Sequence, residues 1–246
     1  KSDGIPLLIL KVLPALAPEV WGEGEDFLSV VGLFHDTRAP SPILPTGVGF
    51  TGLTREDPAA AIDYTSFTCA ACHIGRVRGE DGQLHYIDGG INTEFNINLY
   101  FVKLSQTLAL VQGAEQDPAQ RLALITDRVV QAVDAAAATS PHYFYDEHRY
   151  GERSFDAAYE AAQIALFKQD AARHVKAFVD YTEGFVAAFS HYLNKTYDGY
   201  QEQMLAGLPG MADATGVSAA HGYENMAGGA VDTLLAQLVL PSSPGL

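Results

Sequence analysis

The first apolar run of the chain, Ile5 to Val20, is broken by Lys11, Pro14 and Pro18. It predicts a short helix around Leu7 to Leu16, with too few consecutive apolar residues to cross a bilayer. A stretch punctuated by Pro40, Pro42, Pro45, Gly47, Gly49 and Gly52 follows, and reads as loop. Asp57-Pro58 reads as a helix start, with Asp as N-cap and Pro at the first helical position. Gly79 to Gly82 reads as a turn, and Leu84 to Ile87 as a short strand closed by Asp88-Gly89-Gly90. From Asn92 onward the apolar period becomes helical. Asn92 or Thr93 is expected to cap a helix to about Val111, with Ile97, Phe101, Leu104, Leu108 and Val111 on one face. Asp117-Pro118 opens another, carrying Leu122, Ile125, Val129, Val130 and Val133. Pro141 to Gly151 is an aromatic connector, and Ser154 is expected to cap a long helix to about Asn194, interrupted at Gly184. That helix bears a stripe of His174, Phe178, Tyr181, Phe185, Phe189 and Tyr192, read either as a core face or as the lining of a cofactor pocket. A final helix is expected from about Tyr223 to Leu240.

Composition narrows the classes. The chain has 246 residues, 48% of them hydrophobic and 18% charged, enough apolar material for a substantial core. Fifteen Lys and Arg against thirty Asp and Glu give a formal net charge of −15. A nucleic-acid binder needs a basic surface to displace counterions from phosphate, so that class is disfavoured, as is adhesion to anionic lipid. A partner would instead carry a basic patch.

Both cysteines lie in Thr68-Cys69-Ala70-Ala71-Cys72-His73. C-x-x-C-H is the attachment signature of a c-type haem. Two thiols must reach the two vinyl groups of one porphyrin, and the next residue places an imidazole beneath the ring as the proximal iron ligand. Cys69 and Cys72 would be the thioether anchors and His73 the axial base. A zinc site would need four ligands, and no second C-x-x-C or His-x-x-x-His cluster supplies them. A redox-active C-x-x-C usually sits at a strand-to-helix junction, which these flanks do not resemble. Thioether attachment implies a bacterial periplasm or the cell exterior. The absence of other cysteines leaves stability to packing and haem.

Ile5-Pro6 through Leu13-Pro14, Leu44 to Phe50, Phe67 to Gly75, and Ile87 to Phe95 follow one another in an order that resembles the N-terminal half of the di-haem c-type cytochromes. That family includes rubber oxygenase and, more distantly, bacterial cytochrome c peroxidases. The Gly228 to Asp232 segment resembles the end of that half. The family carries two C-x-x-C-H motifs and this sequence one, so the resemblance implies a fragment or a single-haem relative.

The ligand opposite His73 decides whether the iron carries electrons or activates oxygen. Met211, after Leu208-Pro209-Gly210, is the best local match, with Met204, Met226, His142, His148, His174 and an open site as alternatives. Arg76 is the first candidate for a haem propionate, followed by Arg78, Arg38 and Arg55; the resemblance adds the amides of Asn92 and Asn96. The expected fold is mainly α: a cytochrome c-like haem domain with additional long helices and irregular loops. It is one domain over 1–246, with a loop-rich wrap at 1–56, a haem-attachment core at 57–112 and a helical extension at 113–246. The expected function is one-electron transfer with one haem c, to a redox partner protein or a second haem domain or subunit, without a membrane span. A haem-dependent oxygenase or peroxidase and a haem-stabilised structural subunit are the alternatives.

Overall fold

A computed structural model describes residues 4–24, 26–38, 44–51, 61–139, 142–145, 149–150, 153–154 and 157–196. The chain enters on a two-residue strand, β1 (Ile5–Pro6), and turns at once into α1 (Leu7–Leu16). Leu7, Leu8, Ile9, Leu10, Val12 and Leu13 are all buried. A helix apolar on nearly every side belongs in an interior, and α1 is the centre of the core. Pro14 falls in its last turn, and Pro18 starts the short α2 (Pro18–Trp21), where a missing backbone N–H costs nothing. Buried Trp21 donates its indole N–H to Thr107 Oγ1 at 2.8 Å.

Two more strands, β2 (Val48–Thr51) and β3 (Tyr64–Phe67), complete an antiparallel sheet of order β1-β3-β2. Ile5 lies opposite Thr65 and Val48 opposite Phe67. A single helical turn, α3 (Cys69–His73), follows β3 and runs directly into the hairpin β4 (Ile74–Arg78) and β5 (Leu84–Asp88). Two long helices, α4 (Ile97–Gln112) and α5 (Pro118–Thr139), pack on α1; after a small hairpin of β6 (Arg149–Tyr150) and β7 (Arg153–Ser154) and the helix α6 (Ala157–Gln169), a third, α7 (Ala171–Thr196), packs on α4, α5 and β1. The chain is mainly α, with small antiparallel sheets.

Most predicted elements stand where the pattern placed them. The α1 bounds agree, β5 covers the predicted strand, and Asp117 caps α5 by accepting from the N–H groups of Ala119 and Gln120. Three differ. Helix α4 is capped by Asn96, whose Oδ1 accepts from Leu99 N at 2.9 Å, rather than by Asn92 or Thr93, because Asn92 is engaged elsewhere. Ser154 lies in β7, and α6 begins at Ala157. The break in the last long helix falls at Asp170 and not at Gly184, which α7 passes through. Asp170 accepts from His174 N through its backbone carbonyl and pairs with Arg173 through its carboxylate, so a new helix starts there. The helix start at Asp57-Pro58 and the final helix at Tyr223 to Leu240 lie outside the described residues.

The aromatic stripe of α7 packs into the core over its described part. Phe178 is buried, Phe185 stacks on Phe101 at 3.5 Å between centroids, and His174 sits between Phe167 and Tyr64. Below β3 lies a polar knot. Asp63 Oδ2 accepts from the hydroxyls of Tyr145 and Tyr159 at 2.8 and 2.7 Å. Gln163 bridges Asp63 N and Ala61 O. Glu160 Oε2 accepts from the backbone N–H groups of Phe144 and Tyr145. Buried carboxylates are tolerated when their lone pairs are filled in this way.

Candidate functional site

The spacing of Cys69, Cys72 and His73 in a helical turn puts them at i, i+3 and i+4, on one face. Ala71, two residues from Cys69, takes the opposite face and is fully buried. Cys69 and His73 are exposed and Cys72 is half-buried against the core; neither cysteine is in a disulfide. Cys69 and His73 therefore face outward from one turn of five residues, with Cys72 beside them on the same face but partly packed on the core.

The turn is held from two sides. Behind it, Gly47 at φ +90° runs against Ala71: a Cβ there would lie 2.2 Å from Ala71 Cα, so only glycine fits both the conformation and the space. Gly47 O also accepts from Thr68 N at 2.8 Å. From the side, the loop after β5 closes the end of the turn. Asn92 Nδ2 donates to Ala71 O at 2.9 Å, Asn92 N to Cys72 O at 2.8 Å, and Gly89 N to His73 O at 2.8 Å. A helical turn this short leaves its last carbonyls without helical partners, and three successive ones are satisfied by a loop some twenty residues on. Asn92 in turn accepts at Oδ1 from Glu94 N and Phe95 N, which ties the clamp to Phe95, buried beneath Phe67.

Arg76 leaves β4 on the face opposite Gly75. Its guanidinium donates twice to Glu94, at 2.8 and 2.6 Å, and lies 4.4 Å from the Phe34 ring centroid. The pairing raises the Arg76 pKa and holds the Glu94 carboxyl below the usual carboxylate range. Arg38 joins Asp36 to Asp88 on β5 and covers Tyr86, and the fork beside Asp36 lowers that carboxyl's pKa. Arg78 donates to Gly82 O. Of the residues proposed for the propionates, Arg76, Arg78 and Arg38 thus surround the hairpin next to the turn, while Arg55 lies outside the described residues. Asn92 holds the turn itself, and Asn96 caps α4. Met211, Met204, Met226 and His148 also lie outside the described residues. His174 is placed at the far end of β3, where its Nδ1 is 3.0 Å from the Tyr64 hydroxyl; burial lowers its pKa.

The donor set fits a covalently held haem: two thiols outside any disulfide and an exposed imidazole on one fixed face. A cavity beside β3, lined by Leu10, Thr65, Phe67 and Tyr100 among others, has a volume of about 10 Å³, room for one water. A porphyrin tethered to this turn would therefore lie along its outward face and not in that cavity. Among the described residues, no group of three or more His, Cys, Asp or Glu is arranged to hold a bare metal ion. In the sequence Asn92 was legible as a helix cap and, through the resemblance, as an amide toward a haem edge, but not as a clamp, because nothing local marks a residue that bonds back across about twenty positions.

Comparison with known proteins corrects the kinship read from the sequence. The family model that matches is described as a Y4iN-like domain and covers residues 1–73, ending with the Cys69–His73 turn; no cytochrome c family matches. An uncharacterized protein y4iN of Sinorhizobium fredii (strain NBRC 101917 / NGR234) is 44% identical over 46 residues, 19% of this chain and 22% of that protein. No solved structure matches. The resemblance to di-haem cytochromes rested on loosely spaced Pro, Gly and Asn segments around one specific motif. Those segments have local structural roles that other families can share: Gly47 backs the turn and Asn92 closes it. The likeness found is to a Y4iN-like domain, over less than a third of the chain.

Proposed function

We propose that the chain is a single-haem c-type electron carrier acting outside the cytoplasm, with thioethers at Cys69 and Cys72 and His73 as the proximal iron ligand. One observation carries the reading: both cysteines and the imidazole share one face of a turn whose three last carbonyls are already bonded, with Cys69 and His73 exposed on it. In attachment each thiol gives its sulfur to one vinyl carbon and its hydrogen to the neighbouring carbon. An S–H bond and a C=C π bond are exchanged for C–S and C–H bonds, and no oxidant or reductant is consumed. The bound group supplies a one-electron iron couple. Gly47 and Asn92 keep the two cysteines and the imidazole on one face; Arg76, Arg78 and Arg38 lie at the adjoining hairpin with their guanidinium groups already bonded to Glu94, Gly82 O, and Asp36 and Asp88. Met211 is the residue to test as a second ligand that would hold the iron. A formal charge of −15 favours a redox partner with a basic docking patch. No helix among the described residues is long and apolar enough to cross a membrane.

The test is expression in a bacterial host that attaches haem in its periplasm, followed by mass analysis of the denatured polypeptide. The wild type is expected to gain one tetrapyrrole, Cys69→Ala/Cys72→Ala none, and His73→Ala a changed or lost absorption spectrum. A wild-type chain with no added mass and two free thiols refutes the proposal.

A further inference from the structure

Six large hydrophobic side chains are exposed among the described residues, and four of them, Val77, Leu84, Ile87 and Ile91, fall on or just after the β4–β5 hairpin. Single exposed apolar residues are ordinary, but a cluster of them marks a surface that something covers. The register sorts them. Gly75 is opposite Ile87 and Val77 opposite His85, so Val77 and Ile87 share one face, while Leu84 shares the other with Arg76, Arg78 and Tyr86. The loop carrying Ile91 crosses that first face: a Cβ on Gly75 would lie 2.6 Å from Ile91 O, and one on Gly90 2.8 Å from Ile87 Cγ2. Val77, Ile87 and Ile91 thus form one strip, each 47–50% exposed. The loop that completes the strip is the one whose Gly89 and Asn92 bond the carbonyls of His73 and Cys72, so strip and turn share that loop.

We propose that this strip is the surface on which the haem macrocycle rests, with Val77 and Ile87 as the residues that shield its face from water. The inference depends on the covalent attachment proposed above, and extends it to residues outside the C-x-x-C-H motif. A covalent tether explains why so shallow a surface suffices: the ring is held at high local concentration, and the strip need only orient and desolvate it. β-Branched side chains on a hairpin face offer the flat apolar contact that a macrocycle needs.

The variant Val77→Asp/Ile87→Asp tests this, since both sites are half exposed in the chain without haem and carboxylates there leave the fold intact, which far-UV circular dichroism verifies. Loaded wild type and loaded variant are compared by visible circular dichroism of the Soret band and by the rate of cyanide binding. In parallel, Cys69→Ala/Cys72→Ala chains with and without the two aspartates are titrated with ferric haem. The variant is expected to lose most of the Soret dichroism, to bind cyanide at least about tenfold faster, and to bind free haem at least about tenfold more weakly, as two lost aliphatic contacts imply. Equal dichroism, cyanide rate and haem affinity overturn the assignment of the strip while leaving attachment at Cys69 and Cys72 standing. A wild type that is dimeric only while Val77 and Ile87 are intact, with an unchanged haem spectrum, overturns it too and gives the strip to a second copy. A wild type that never gains covalent haem overturns both proposals.

Discussion

Replacing Asn92 with alanine removes three hydrogen bonds at one stroke, two of them buried. Asn92 is 2% exposed, and its amide both donates to Ala71 O and accepts from the N–H groups of Glu94 and Phe95. Glu94 is exposed, so its N–H can turn to water at about 0.5–1 kcal/mol. Ala71 and Phe95 are fully buried, and a carbonyl or N–H left unsatisfied there costs about 1–3 kcal/mol. The sum is roughly 2.5–7 kcal/mol, a large part of the stability of an ordinary domain. With a urea dependence of about 2–3 kcal/mol/M, the midpoint of unfolding should fall by about 1–3 M. Asn92→Asp separates the parts. It keeps both accepted bonds but sets a buried carboxylate oxygen against Ala71 O, so its loss should come from that contact and from the buried charge. The turn can be read separately through its sulfurs: half-buried Cys72 should react with a thiol reagent faster in Asn92→Ala than in wild type, while exposed Cys69 changes little. A midpoint shift below about 0.3 M with an unchanged slope, and equal thiol rates, would show that the turn does not depend on Asn92.

Gly47→Ala should be as damaging by a different route, because a methyl at φ +90° meets the Ala71 backbone at 2.2 Å; a loss of about 3 kcal/mol or more in urea unfolding is expected, and a neutral result would contradict the close approach. Asp63→Ala strands the hydroxyls of Tyr145 and Tyr159 and should cost about 2–4 kcal/mol, read as a fall in thermal midpoint, whereas Tyr159→Phe removes one of the two bonds and should cost less than half as much. Burial holds the folded pKa of His174 below its ordinary 6.5, so the unfolded chain binds the extra proton first. Stability should therefore fall as the pH drops from 6.5 towards that lower value, and His174→Asn should flatten the dependence of the thermal midpoint on pH in that window. An unaltered slope would remove His174 as its cause.

What could be seen in the sequence follows from how far each signal reaches. The α1 bounds were legible because prolines punctuate the run and its apolar residues leave no polar face except near Lys11. Asp117-Pro118 was legible because cap and first turn are adjacent in sequence. The start of α4 was misread for the opposite reason. Asn92 carries every mark of a cap, yet its amide is drawn to Ala71 O, and the helix waits for Asn96. Gly184 looked like a breaker, but an exposed glycine within a long helix costs only about 1 kcal/mol, less than the packing of Tyr181 and Phe185 on Phe101 returns. Asp170 ended the preceding helix instead, through a carbonyl and carboxylate that both serve the next one.

The candidate site divides along the same line. The identities of its chemical groups are wholly local, since Cys69, Cys72 and His73 lie within one helical turn, and their common face follows from the helical period alone. Their usefulness is not local. A five-residue turn has no stability of its own, because nucleating a helix costs more than one or two hydrogen bonds return. It persists because Gly47, some twenty residues before it, leaves room for Ala71, and because Gly89 and Asn92 come back to its carbonyls. The turn is thus held from both flanks by the chain itself. On the proposal above, a haem would be attached to a surface that these contacts already fold. If so, the thiol-free chain Cys69→Ala/Cys72→Ala should show the same far-UV spectrum and cooperative urea transition as the loaded protein, differing in midpoint alone. A thiol-free chain that is unfolded without haem would mean that the ring, and not the clamp at Gly47 and Asn92, makes the turn.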